Sequence, residues 1–170
     1  QGEALSVLAR AYQMTHDVKY INCARQALAC FFASVEQGGV ASRLHDGRIM
    51  FEEYPSVSRS THVLNGFIYA LWGIYDYQLV TGCPSAQMLW QQGVATLVQN
   101  LDQYDTGWWS YYNLADQNRI VSSFMYHNLH VVQLDILFDL TGESAFYVTR
   151  DRWSGYMKSP PNRIRASLGR

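Results

Sequence analysis

The sequence predicts an all-α fold built from helical hairpins, and three observations lead there. Apolar residues recur at helical spacing through most of the 170 residues. Three short polar turns that resemble one another each separate two such apolar segments. Two longer connections between the pairs carry β and turn chemistry instead. A composition of 48% hydrophobic and 16% charged residues is that of a globular chain, long enough to bury a core in one domain.

The elements follow in order. Ala4, Val7, Leu8 and Ala11 share a face of the first helix, and Tyr20, Ala24, Ala27, Leu28 and Phe31 a face of the second. Leu64, Phe67, Ile68, Leu71, Ile74 and Tyr75 make the strongest stripe. Trp90, Val94, Leu97, Val98 and Leu101 define a fourth helix, and Leu129, Val132, Ile136, Leu137 and Leu140 a fifth. Phe146 and Trp153 anchor a sixth. The turns are Thr15-His16-Asp17, Thr81-Gly82-Cys83-Pro84 and Thr141-Gly142-Glu143-Ser144, with Gly82 and Gly142 as C-caps and Ser85 and Ser144 as N-caps. This repetition predicts three hairpins. The connections over 34–60 and 103–125 are expected to hold short β-hairpin insertions, at Leu44 to Phe51 and near Tyr104-Asp105-Thr106-Gly107.

Three hairpins amount to an incomplete α/α toroid. In an up-down array the two long connections leave at one end, beside helix N-termini whose free N–H groups favour an anion. The open sides of such an array call for a companion: a second copy in a homodimer, or an upstream portion. The opening Gln1-Gly2, without Met, reads as the start of an excised fragment and leaves location open. Residues 1–157 are expected to form the domain, and 158–170, with Lys158, Arg163, Arg165 and Arg170, a basic frayed tail.

A net charge of −1 without a Lys/Arg stripe argues against nucleic acid, and no apolar run is long enough for a membrane span. Cys23 and Cys30 lie about 10 Å apart along one helix, too far for a disulfide. Both read as small buried hydrophobes, and Cys83 falls in a turn. Twelve Tyr and five Trp serve either core packing or a cleft that stacks sugar rings.

Three segments carry candidate chemistry. In Phe51-Glu52-Glu53-Tyr54-Pro55 the carboxylates are a solvated pair or, beside aromatics, contain a base of raised pKa. Tyr104 to Leu114 holds five aromatics, as a hydrophobic flap or a carbohydrate-binding strand. In an extended strand Tyr111 and Tyr112 point opposite ways. In Tyr126-His127-Asn128-Leu129-His130 the histidines lie three apart on a helix, but no Cys or third His joins them, so no metal is expected. Asn65 interrupts an apolar stripe and either meets a buried partner or faces a cleft. Arg152 and Trp153 read as a structural pair.

Three motifs now stand in one order: Glu53-Tyr54-Pro55 through Leu64-Asn65-Gly66-Phe67; Tyr104-Asp105-Thr106-Gly107 through Tyr112-Asn113-Leu114; and Tyr126-His127 through His130 and Gln133-Leu134. With Arg10-Ala11-Tyr12 and Arg152-Trp153 with Tyr156, the chain resembles the C-terminal helical domain of the D-glucuronyl C5-epimerases, the heparosan-modifying family. The resemblance implies an α/α-toroid domain, preceded in full-length members by a β-rich N-terminal region. It implies catalytic roles for Glu53, Tyr54, Tyr112 and Tyr126. Asn65, His127, His130, Trp109 and Arg119 are the candidate substrate contacts, with capping or satisfied polar roles as the commoner use of the histidines. Asn113 and Ala115 stand where the animal enzymes carry Asp and Arg.

The activity implied is C5 epimerisation of D-glucuronate to L-iduronate within an anionic, uronate-containing polysaccharide, by proton removal and return, with no cofactor. Proton removal at C5 builds charge on an already anionic group, so the enzyme must stabilise an enolate-like intermediate. Glu53 with one tyrosine is expected on one face of the ring and Tyr112 or Tyr126 on the other. The rival readings are a polysaccharide lyase, which shares the first step, a glycosidase using Glu53 and Asp105, and a non-catalytic carbohydrate-binding module.

Overall fold

The computed structural model describes residues 1–115 and 118–168, which separate into two compact units. The first contains Gln1–Ser60 and Gly66–Thr96; the second contains Thr61–Asn65 and the chain from Leu97 onward. The helices are α1 (Gly2–Thr15), α2 (Val18–Leu28), α3 (Leu64–Thr81), α4 (Pro84–Asn100), α5 (Phe124–Thr141), α6 (Ser144–Lys158) and α7 (Pro160–Leu168). The fold is thus all-α, with the three hairpins α1/α2, α3/α4 and α5/α6 that the periodicity predicts. The short β insertion is present as β1 (Ala41–Arg43) paired antiparallel with β2 (Ile49–Phe51), Ser42 opposite Met50. No helix among the described residues is long and apolar enough to cross a membrane.

One device turns the chain at all three hairpins. The first helix ends on a threonine whose hydroxyl donates back to the carbonyl four residues earlier: Thr15 to Ala11 at 2.7 Å, Thr81 to Tyr77 at 2.7 Å, Thr141 to Leu137 at 2.6 Å. The same oxygen accepts the N–H two residues on, from Asp17, Cys83 and Glu143 at 3.3, 3.2 and 3.2 Å. Between them sits a residue in the left-handed region, His16, Gly82 or Gly142, at φ 55°, 65° and 71°. Its N–H closes the helix on the carbonyl four back, at 2.8 Å in each case. The backbone reverses with its terminal groups satisfied. Two of the second helices start earlier than their expected serine caps: α4 one residue before Ser85, and α6 at Ser144 itself. Pro84 and Ser144 are already helical, which leaves Cys83 and Glu143 at the cap positions. Proline suits that first helical position because it lacks the N–H that would go unpaired there.

In the first unit, Phe67, Ile68, Leu71 and Ile74 of the α3 stripe are buried as predicted, and Tyr75 is half-buried. Phe51 packs edge-on to Phe31 at 5.0 Å and against Phe67 at 5.5 Å. Helix α1 turns a different face inward from the one its apolar residues suggest: Gly2, Leu5 and Ala9 are buried, while Val7 is 65% exposed. The cause is backbone proximity. A Cβ on Gly73 would lie 1.9 Å from the Gly2 carbonyl oxygen, so α1 crosses α3 where only glycine fits. Asp76 on α3 then takes a hydrogen bond from Ser6 and an ion pair from Arg10 at 3.1 Å. Cys23 is exposed rather than buried, and all three cysteines are free thiols.

In the second unit α5 departs from expectation except at Leu137, which is buried as predicted. Its buried face carries His127, His130, Gln133, Leu134 and Leu137, while Val132, Ile136 and Leu140 are exposed. Residues 160–168 form helix α7 where a frayed tail was expected; Pro160 opens it, and it packs on α5 and α6. Arg170 of that tail lies outside the described residues.

Gly82→Ala and Gly142→Ala are each expected to lower stability to denaturant by about 1 kcal/mol, because the added Cβ is strained at positive φ. Gly155→Ala, helical and open to solvent, is expected to raise it by up to about 1 kcal/mol. Equal effects at the three positions would contradict the turn geometry.

Candidate active site

The second long connection is rooted by Asp105. Its carboxylate accepts the Gly107 N–H at 2.7 Å, Trp153 Nε1 at 2.9 Å and the Tyr156 hydroxyl at 3.2 Å, and pairs with Arg152 Nε at 2.8 Å. Arg152 and Trp153 are therefore the structural pair expected of them. Burial and then the charge of Asp105 push the Tyr156 hydroxyl above its usual range. With so many donors on it, Asp105 is a structural anion rather than the second carboxylate of a glycosidase.

Beyond the turn, residues 110–114 run between two backbones, bridged singly at Ser110, Tyr111 and Asn113 and bent at Tyr112. Tyr112 donates to the Ile120 carbonyl at 2.7 Å and accepts from Leu64 N–H at 3.1 Å. Leu114 donates to the Thr61 carbonyl at 3.2 Å, and Asn113 Oδ1 takes the Ile120 N–H at 2.9 Å. The two tyrosines meet different partners. Tyr111 lies under the Arg119 guanidinium, 5.9 Å from its ring centre. Tyr112 meets Tyr126 in the first turn of α5, ring centres 4.8 Å apart and planes at 61°. Both members of that pair are half-buried. Ser123 caps α5, its hydroxyl accepting the Tyr126 N–H at 3.3 Å.

Ser110 fixes the same strand to α5. Its N–H donates to His127 Nδ1 at 3.1 Å, and its hydroxyl lies 2.8 Å from that nitrogen and 3.0 Å from His130 Nδ1. His127 Nε2 is 3.1 Å from the Trp153 carbonyl, which can only accept. The ring must therefore be neutral with its proton on Nε2. Trp109 stacks on His127 at 3.9 Å and donates its indole N–H to the Ser122 carbonyl at 2.9 Å. Trp109, His127 and His130, the expected substrate contacts, are fully buried, and in this structure they hold the segment in place. Among the described residues no group of three or more His, Cys, Asp or Glu is placed to hold a metal.

In the first unit, Glu52 is buried and accepts the Ser42 hydroxyl at 2.7 Å, while Glu53 and Tyr54 are exposed. The Glu53 carboxylate lies against Gly66 in the first turn of α3: a Cβ there would stand 2.4 Å from Oε2. Asn65 is buried in the second unit, its carbonyl accepting Gln133 Nε2 at 3.2 Å while its Oδ1 finds no partner among the described residues. Sequence reasoning missed Ser110, whose neighbours are distant in sequence. It also passed over Gly66, although an Asn-Gly step inside an apolar stripe is itself a signal of close backbone approach.

Burial pushes His127 down to about 4, and burial with the neighbouring His127 pushes His130 down to about 3. In the unfolded chain both titrate near about 6.5. Above that pH neither state binds the protons and the full stability is present. As pH falls below it, only the unfolded chain takes them up, so stability is lost until the folded pKa values are reached. Denaturant titrations are expected to show a loss steepening toward about 2.7 kcal/mol per pH unit below about pH 6. His127→Asn should make that slope shallower; an unchanged slope would contradict a buried neutral pair.

Residues 1–155 match the family model for the D-glucuronyl C5-epimerase C-terminus, from α1 into α6 and short of α7. Over 92% of its length the chain is 34% identical to a D-glucuronyl C5-epimerase of Caenorhabditis elegans, and over 90% it is 33% identical to an uncharacterised protein of Methanocaldococcus jannaschii. It spans 28% and 49% of the lengths of those two proteins. With the family model matched along nearly the whole chain, the protein belongs to the D-glucuronyl C5-epimerase C-terminal family.

Proposed function

We propose that this chain contributes the proton-transfer pair Tyr112 and Tyr126 to a uronate C5-epimerase that converts D-glucuronate to L-iduronate within an anionic polysaccharide. The observation that carries the reading is the edge-to-face contact of the two half-buried rings at 4.8 Å, in a chain of this family. The proton at C5 is acidified only weakly by the adjacent carboxylate, so its removal needs a positioned base and an environment that accepts developing negative charge. A tyrosine, with an ordinary pKa of about 10, serves as base only beside positive potential. The first turn of α5, where Tyr126 sits, supplies that potential through the helix dipole. Glu53 and Tyr54 are assigned proton transfer by the family resemblance, with Gly66 as the seat of the Glu53 carboxylate. Arg119, exposed above Tyr111, is the proposed contact for a substrate carboxylate, and Asn65 a further polar contact.

The test is NMR of a glucuronate polymer incubated in D2O with the protein. Deuterium at C5 together with iduronate signals is expected, and Tyr112→Phe or Tyr126→Phe should lower its incorporation by about 100-fold or more. Gly66→Ala should lower it about as much as Glu53→Gln, because the new methyl group displaces the carboxylate. Unsaturated uronate products would replace this reading with a lyase. Polymer binding without exchange would replace it with a carbohydrate-binding module.

A further inference from the structure

We propose that α7, with the aromatic residues it covers, forms a second binding strip for the anionic polysaccharide, outside the tyrosine pair; the ligand class rests on the function proposed above. From Arg152 to Arg170 the sequence carries five basic residues and no Asp or Glu, in a chain of net charge −1. The fold gives this asymmetry a defined surface. Helix α7 buries Ala166 and carries Arg163 and Arg165 exposed on either side of it. Arg165 lies 4.0 Å from the centre of the Trp108 ring, and Arg163 lies 5.7 Å from that of Phe124.

These two arginines differ from others in the chain. Arg10, Arg48, Arg150 and Arg152 each pair with an aspartate at 2.8–3.1 Å. Among the described residues Arg163 and Arg165 meet no carboxylate; aromatic faces hold them instead. A guanidinium held over a ring is fixed in place yet keeps N–H donors at its edge, arranged to grip a carboxylate with two parallel bonds. Phe124 is itself 46% exposed, which a purely packing role does not require, and an exposed ring suits the C–H face of a sugar. Phe124 opens α5 two residues before Tyr126, about 3 Å along the helix axis and about 200° around it, so the strip and the tyrosine pair lie at the same helix end on different faces. A polymer with repeated carboxylates can engage both, whereas a short oligosaccharide held at the tyrosines leaves the arginines idle. The strip therefore governs affinity for long chains and not the proton transfer itself.

The experiment compares the protein with its Arg163→Ala/Arg165→Ala variant in binding long heparosan chains and a tetrasaccharide cut from them, by calorimetry over a range of salt. The double variant is expected to bind the long chains at least about tenfold more weakly. It should show a shallower salt dependence, unchanged affinity for the tetrasaccharide and an unchanged melting temperature. Arg163→Lys/Arg165→Lys should recover the salt dependence but only part of the affinity. Unchanged affinity for long chains, an equal loss for the tetrasaccharide, absence of polymer binding by the unaltered protein, or equal binding of duplex DNA would each overturn the proposal. Arginine-dependent polymer binding without C5 exchange would keep the strip and remove the epimerase reading. Exchange with arginine-independent binding would do the reverse.

Discussion

His127 stands between a group that can only donate and a group that can only accept. Ser110 N–H addresses Nδ1 and the Trp153 carbonyl addresses Nε2, so a single protonation state fits both. The rest of the second unit follows from that constraint. It fixes Ser110 on α5, and two residues on, where the chain bends, Tyr112 meets Tyr126, the residue before His127. Stacking by Trp109 closes the ring off from water, which strengthens the hydrogen bonds and penalises protonation at the same time.

A second anchor acts at the root of the same loop. Asp105 collects donors from its own turn and from α6, so α6 grips the loop through Arg152, Trp153 and Tyr156 while α5 grips it through His127. The two grips share Trp153: its indole serves Asp105 and its carbonyl serves His127. An irregular segment rich in aromatics is thereby given the fixed backbone that a reacting pair requires. In the first unit the corresponding economy is glycine: Gly73 admits α1, and Gly66 admits the Glu53 carboxylate.

The hairpins could be read from the sequence because each is encoded locally. The Thr-Gly corners use side chains within four residues of the turn, and the α3 stripe from Leu64 to Ile74 is apolar on the face that is buried. The buried face of α5 could not be read that way. A rule that places apolar residues inside selects Val132, Ile136 and Leu140, whereas the structure buries His127, His130 and Gln133 because Ser110, the Trp153 carbonyl and the Asn65 carbonyl come from distant segments to satisfy them. Tyr111 and Tyr112 do meet different partners, but across a bend at Tyr112 and not along a strand, and the partnership of Tyr112 with Tyr126 depends on a crossing that no local pattern records. The tail was misread for a related reason: its charges suggested solvation, while Pro160 and the aromatic rings under Arg163 and Arg165 make it a helix on a surface.

The most direct test of this account is nitrogen-15 NMR of the histidine rings in the folded protein at about pH 5.5, one unit below the ordinary histidine pKa. The account predicts a neutral His127 ring with its proton on Nε2, unchanged as the sample is acidified from neutral pH. A protonated imidazolium, or a proton found on Nδ1, would contradict the clasp on which the placement of Tyr112 depends.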